Sequence, residues 1–329
     1  MSARNSWRRP VGALVLAAVL MACGGCRPAT AERAAAPLRI GVLPDLDTLP
    51  MLVAEREGFF AEAGLRVEIL HAASAAERDQ LLQAGRIDGM VTDPAALVLY
   101  HAGGLPVTAV RHSRVPQPGQ PQFRLLLAPG ATAQRLEDLR GQAVATSIGT
   151  IAEYVLHRLL ASAGMAPDEV TITAVPALPA RYALLTEGRI AAAVIPEPLA
   201  TQAVLAGARP LADEVDQRPF CCSVIGFRDA VVSARPAEIA AFVASLDRAA
   251  AAIHADPPRA LSLAVEARLL SPECAAAMTR LDYPSGSLPD RALVEAIGAW
   301  LKAQGRVREV APFEAMVRAV SPPGARATP

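Results

Sequence analysis

The sequence predicts an α/β protein of two similar lobes, each a mostly parallel sheet flanked by helices. Three observations lead there. Short apolar segments alternate with helical ones from Leu38 to about Val110. The same rhythm returns about 103 residues later. Two further apolar segments stand where the chain would pass from one lobe to the other and back. Alternating strands and helices with short connections are the signature of a parallel sheet covered by helices.

Leu38 to Leu43 is a short apolar strand. Thr48 and Pro50 mark a helix start, the helix runs through Met51 to Arg56, and Gly58 stops it. Gly64 turns the chain into a strand at Leu65 to Leu70. Ser74-Ala75-Ala76-Glu77 reads as a capping box, so a helix follows as far as Gly85. Gly89 to Val91 is a third strand, Thr92-Asp93-Pro94 opens a helix, and Val107 to Val110 is again extended.

In the second half Ala143 to Thr146 takes the place of Ile40 to Leu43, and Ser147-Ile148-Gly149-Thr150 that of the Asp45 loop. A helix is expected from about Thr150 to Ala163, then a strand at Thr171 to Val175. Gly188-Arg189-Ile190 echoes Gly85-Arg86-Ile87, and Pro196-Glu197-Pro198 stands where Asp93-Pro94 stood. The Pro- and Gln-rich stretch Val115 to Gln122 separates the halves. Phe123 to Ala128 and Cys222 to Phe227 are the two apolar segments expected to cross between lobes. Beyond Arg235 the pattern is helical to about Val320. The expected organisation is a first lobe of residues 38–125 and 226–320, a second of 126–225, and a disordered tail at 321–329.

The amino terminus carries an export signal. Arg4, Arg8 and Arg9 precede the uncharged run Val11 to Ala22, which is too short to span a bilayer as a permanent helix, a task needing roughly 20 residues. Leu20-Met21-Ala22-Cys23-Gly24 fits lipoprotein processing, with residues 1–22 removed and Cys23 lipidated. An ordinary secretory signal with an incidental Cys23 is the alternative, and Cys26 is the weaker anchor. Residues 23–37 then form a lipid-anchored tether. The chain is expected in the cell envelope, held to a membrane by its lipid.

Composition narrows the function. The chain of 329 residues is 52% hydrophobic and 19% charged, so it can bury a core. Its formal net charge is zero, which leaves no footprint for nucleic acid. Cys221, Cys222 and Cys274 show no CxxC spacing, and the five histidines form no metal-ligand pair, so neither a metal nor another cofactor is expected. Cys221 and Cys222 read as ordinary thiols in a strand, with pairing to Cys274 left open. No Gly-x-Ser-x-Gly, phosphate-binding loop or HExxH occurs, so no catalytic residues are assigned.

Leu49-Pro50-Met51-Leu52-Val53-Ala54, Glu57-Gly58-Phe59-Phe60, Ala63-Gly64-Leu65, Gly85-Arg86-Ile87-Asp88-Gly89, Leu136-Glu137-Asp138-Leu139-Arg140-Gly141-Gln142 and Gly188-Arg189-Ile190 with Pro196-Glu197-Pro198 together resemble the periplasmic solute-binding proteins of ABC importers. The nearest group is the NMT1/THI5-like one, which serves nitrate, sulfonates, taurine and thiamine precursors. The resemblance spans about Leu38 to Ala260. It implies a type II periplasmic binding protein fold with two crossing strands as hinge, a small solute in the cleft, an ABC permease as partner, and a monomer. A sensor protein signalling to a membrane receptor, or an enzyme on the same fold, remain the alternatives. The enzyme of the pyrimidine synthase type would need a lysine at the cleft, and Lys302 is the only lysine.

In parallel α/β sheets ligands meet the carboxyl ends of strands and the amino ends of the following helices. That selects Asp45, Asp47, Thr48, Thr92 and Asp93 in the first lobe, and Ser147, Gly149, Thr150 and Glu197 in the second. Asp47 and Asp93, or Ser147 and Thr150, could equally serve as helix caps; Glu197, between two prolines, has no helix to cap as cleanly. Tyr154 and Tyr182 are candidates for stacking or for core packing. None of the four loops contains an arginine to offset its carboxylates, so an anion would be repelled, and the expected ligand is an amine or a nitrogen heterocycle.

Overall fold

The computed structural model describes residues 36–215, 220–278 and 281–320. The signal, Cys23, all but the end of the tether, and the tail at 321–329 lie outside them. Among the described residues no helix is long and apolar enough to cross a membrane.

Ten strands form two five-stranded sheets. They are β1 (Leu38–Val42), β2 (Val67–His71), β3 (Gly89–Thr92), β4 (Val107–Arg114), β5 (Phe123–Leu127), β6 (Ala143–Thr146), β7 (Thr171–Ala174), β8 (Ala192–Pro196), β9 (Arg209–Asp213) and β10 (Ser223–Arg228). The first sheet runs β2-β1-β3-β10-β4 and the second β7-β6-β8-β5-β9. The two orders are the same pattern. In each, the strand that follows a crossing inserts antiparallel at the fourth place, β10 against β3 and β5 against β8. The sheets are therefore mixed. This is the α/β two-lobed fold expected from the sequence, with one refinement: β5 and β10 do not themselves cross. The chain passes between the sheets ahead of each, after β4 and after β9. The expected boundaries 125/126 and 225/226 fall within β5 and β10, strands that the pairing keeps whole.

Burial explains the strands. Leu38, Ile40, Val42, Leu125, Leu127, Val144, Ala193 and Val194 are all fully buried, as befits sheets covered on both faces. Gly89 is required by close approach: a side chain there would meet the Phe227 ring across the β3–β10 pair. Phe227 packs edge-on against Phe242 of the helix Pro236–Ala255, which covers the first sheet. The Ser74 capping box forms, with Glu77 N donating to Ser74 Oγ and Ala73 N to Glu77 Oε2. Strand β9 is not evident in the sequence because Pro210 interrupts it. It survives as an edge strand, where a missing donor is tolerated.

The 103-residue repeat is structural. Gly85 and Gly188 both turn their chains with positive φ, 65° and 70°, after equivalent helices Ala75–Gln83 and Leu178–Thr186. The helix Arg291–Ala303 breaks the symmetry. It packs on Pro94–Ala102 of the first lobe and reaches the second. Trp300 Nε1 donates to His157 Nδ1 at 3.0 Å, and the indole meets Tyr154 edge-on at 5.3 Å. One apolar cluster accordingly includes residues of both lobes, Leu97 and Val224 with Val155 and Val194.

Candidate functional site

The carboxyl ends of β1 and β3 set the first-lobe loops. Asp45 accepts from Asp47 N at 3.1 Å and so caps a short 3-10 turn, Leu46–Thr48. Burial and the neighbouring Asp47 carboxylate push the Asp45 carboxyl up to about 8, against the pull of Arg114. Thr48 is fully buried and its hydroxyl donates to Leu43 O at 2.7 Å, which ties the loop together. Asp93 caps the helix Pro94–Ala102 through Ala96 N at 3.0 Å, and burial raises its pKa. The adjacent Thr92 Oγ1 is buried without a hydrogen-bond partner.

The second-lobe loop follows β6. Thr150 caps the helix Ile151–Ser162, accepting from Ala152 N at 3.2 Å and donating to Ser147 O at 2.6 Å. Gly149, at φ 79°, presents its N–H to Glu153 Oε2 at 2.5 Å. Thr146 Oγ1, at the end of β6, is wholly buried and unpartnered. Ser147 and Gly149 remain partly exposed at the loop. Tyr154 is core: it is 2% exposed and packs edge-on against Phe220 and Trp300.

Between the lobes two arginines reach the carboxylates. Arg114, the last residue of β4, places Nε 3.5 Å from Asp47 Oδ1. Burial opposes its charge, but Asp47, Glu197 and Asp45 more than offset that. Arg124 of β5 places Nε 2.9 Å from Glu197 Oε1, while Glu197 Oε2 accepts from Thr201 N at 3.0 Å. The expectation of uncompensated carboxylates is thereby corrected. The loops hold no arginine, but strands β4 and β5 deliver one to each lobe's acidic residue. Leu46, Arg114, Arg124, Glu197, Thr201 and Tyr283 line a cavity of about 200 Å³ between the lobes. That is small beside the roughly 300–1,000 Å³ usual for ligand pockets.

Several polar atoms at this place make no well-aligned hydrogen bond, although Arg124 Nε and Glu197 Oε1 form an ion pair with each other and Asp47 Oδ1 lies within ion-pair range of Arg114. Asp47 Oδ1, Glu197 Oε1, Arg124 Nε, Thr92 Oγ1 and Thr146 Oγ1 are five of the nine such buried side-chain atoms among the described residues. Buried polar groups are nearly always satisfied, so the Thr92 and Thr146 hydroxyls, one at a strand end of each lobe and in no ion pair, mark a place for a ligand's donors and acceptors. Sequence reasoning did not select Arg114, Arg124, Thr146 or Glu153. The signal for Arg124 was present, as the one charged residue of the apolar strand β5; Arg114 stands in the polar end of β4 after Arg111, His112 and Ser113 and carried no such signal.

The thiols are not candidates for chemistry. Cys221, Cys222 and Cys274 are free and buried, and burial pushes the Cys221 and Cys222 thiols up. Cys221 and Cys222 precede β10 in the second crossing rather than lying in a strand. No group of metal-ligating side chains occurs among the described residues.

The family model described as NMT1/THI5 like matches residues 45–260. The chain belongs to the NMT1/THI5-like family. Among the curated proteins none matches its sequence. Solved structures share the fold. The periplasmic aliphatic sulphonate binding protein SsuA of Escherichia coli is similar at TM-score 0.75 and 18% identity, over 89% of this chain and 95% of that one. The alkanesulfonate-binding SsuA of Xanthomonas axonopodis pv. citri, bound to MOPS, is similar at TM-score 0.73 and 20% identity, over 86% and 98%. The desulfurization enzyme DSZB is similar at TM-score 0.67 and 14% identity, over 85% and 96%. The fold is thus one used by periplasmic binding proteins and, in that last case, by an enzyme.

Proposed function

We propose that this protein is an extracytoplasmic solute-binding protein that captures a small molecule between its lobes and delivers it to an ABC-type import permease. The observation that carries this reading is the set of charged groups, Arg114 from the first lobe and Arg124 with Glu197 from the second, that line one interlobe cavity. Membership of the NMT1/THI5-like family supports it. Binding rather than catalysis is favoured by the buried, high-pKa thiols and by the place of Lys302, exposed near the end of the helix Arg291–Ala303.

The solute is read as a molecule with N–H donors, an amine or a nitrogen heterocycle, because the buried Glu197 carboxylate lines the cavity. An anionic solute such as a sulfonate is the second reading, favoured by Arg114 and Arg124, which line the same cavity. A thermal-shift screen of amines, heterocycles, sulfonates and nitrate separates them, since a ligand of the folded state raises Tm with the logarithm of its concentration relative to its Kd. A concentration-dependent rise for at least one small molecule is expected; a flat response across the library sinks solute binding.

The protein is further proposed to act as a monomer tethered by lipid on Cys23, on the strength of the Leu20-Met21-Ala22-Cys23 motif. Cys23→Ser is expected to abolish membrane association. Undiminished recovery of Cys23→Ser in the membrane fraction refutes the assignment.

A further inference from the structure

The backbone donors at the cleft's helix starts are already engaged by the chain's own carboxylates. Asp45 accepts from Asp47 N, Asp93 from Ala96 N, Glu197 from Thr201 N and Glu153 from Gly149 N. Asp45 and Asp93 are local caps of the ordinary kind. Glu153 is different. The helix Ile151–Ser162 already has its cap in Thr150, and Glu153, from the first turn, reaches back to the loop glycine. It is 5% exposed and held from outside its own lobe. Arg306, which follows the helix Arg291–Ala303, lies 3.5 Å from the same Oε2 and stands over Gly149. His157 Nε2 lies 3.9 Å from Oε1.

Free amides at a helix start recognise anions, because the N–H groups and the helix dipole both favour negative charge. In this loop an intramolecular carboxylate has taken the Gly149 amide, and the nearest guanidinium is neutralised by the same group. A second anion would have to displace Glu153 or lie beside its carboxylate, which repels it. We propose that Glu153 is a specificity-determining residue that excludes anionic solutes from the Ser147–Thr150 loop and restricts the cleft to neutral or cationic ones. The inference rests on the solute-binding reading and assigns the ligand class within it.

The test is calorimetry with ethanesulfonate on the wild-type protein, Glu153→Ala and Glu153→Gln, with melting curves to establish that each is folded. Glu153→Ala frees the amide and removes the charge. Glu153→Gln removes the charge but keeps an acceptor for Gly149 N, and preserves size in case the alanine variant does not fold. Ethanesulfonate is expected to bind Glu153→Ala at least about tenfold more tightly than wild type, with Glu153→Gln between them. Wild-type protein that binds ethanesulfonate as well as the variants overturns the proposal. So does failure of both folded variants to bind it while the wild type binds a neutral or cationic library compound, and that result leaves solute binding intact. A protein that binds nothing in any form overturns solute binding itself and this inference with it.

Discussion

Arg78 and Arg181 make the same buried contact 103 residues apart. Each is the fourth residue of its helix, Ala75–Gln83 or Leu178–Thr186, and sends Nη1 to the carbonyl of a valine in the adjacent strand, Val91 at 2.8 Å and Val194 at 2.7 Å. Both guanidinium groups are almost wholly buried. Their electrostatics differ. Arg78 has Asp79, Tyr100 and Asp93 around it, whereas Arg181 bonds only to carbonyls, including Val175 O at 2.9 Å. Burial alone lowers the Arg181 pKa to about 10.

The Arg181 contact predicts a stability effect. Arg181→Ala leaves the Val175 and Val194 carbonyls without their donor, and each buried unsatisfied group costs about 1–3 kcal/mol. A loss of about 2–5 kcal/mol is expected in urea denaturation, without change in the cleft residues. A loss below about 1 kcal/mol would show that water replaces the guanidinium.

A second prediction concerns Glu197. Glu197→Gln keeps the size and one acceptor but removes the charge that faces Arg124. For a ligand with N–H donors, affinity is expected to fall roughly tenfold to a hundredfold, as a charged hydrogen bond of about 1.5–3 kcal/mol implies. Calorimetry with the ligand from the thermal-shift screen measures it. Unchanged affinity removes Glu197 from the binding residues.

The pH dependence of stability follows from two carboxyls with raised pKa values. Burial lifts Glu214 to about 7, and burial with Asp47 lifts Asp45 to about 8. Between their ordinary range near 4 and these values the folded protein holds more protons than the unfolded chain. Stability contributed by these groups is therefore largest at the acid end and declines as pH rises towards about 8. Tm of the ligand-free protein is expected to fall from about pH 6.5 to pH 8, less steeply in Asp45→Asn; below about pH 6.5 the buried His112, its pKa lowered to about 4, acts in the opposite sense. A Tm that rises across that window contradicts the assignment. Asp88, whose pKa the Arg39 and Arg228 guanidinium groups hold down despite burial, acts in the opposite sense only at more acidic pH.

The Trp300–His157 bond predicts a change in lobe separation. Trp300→Ala removes the donor to His157 and the edge contact with Tyr154, both of which join the C-terminal helix to the second lobe. A larger radius of gyration for the ligand-free variant is expected in small-angle scattering, of the kind hinge opening gives. Identical scattering from the two proteins would mean that the remaining interlobe packing suffices.

Much of this architecture was legible because it is local. Apolar runs bounded by Gly and Pro marked β1, β3, β6 and β8, and the 103-residue echo announced two related lobes. What escaped depends on contacts distant in sequence. The Arg114–Asp47 and Arg124–Glu197 pairs are made by strands on either side of the crossing, so inspection of single loops found acids and no bases. Glu153 is not singled out by the sequence, since nothing local shows that Arg306 arrives from 153 residues further along. Strand β9 was hidden by its proline.

The position of β10 has a consequence for how the molecule is made. In the second sheet β5 precedes every strand it joins, so all five strands exist once the chain has reached Asp213. In the first sheet β4 neighbours only β10, which begins at Ser223. A chain emerging amino terminus first can therefore complete the sheet of its second lobe while the first still has an open seam between β3 and β4. The lobe that starts the sequence is the last to close, and until β10 arrives its unpaired strand edges are the ones a chaperone or a neighbouring chain would meet.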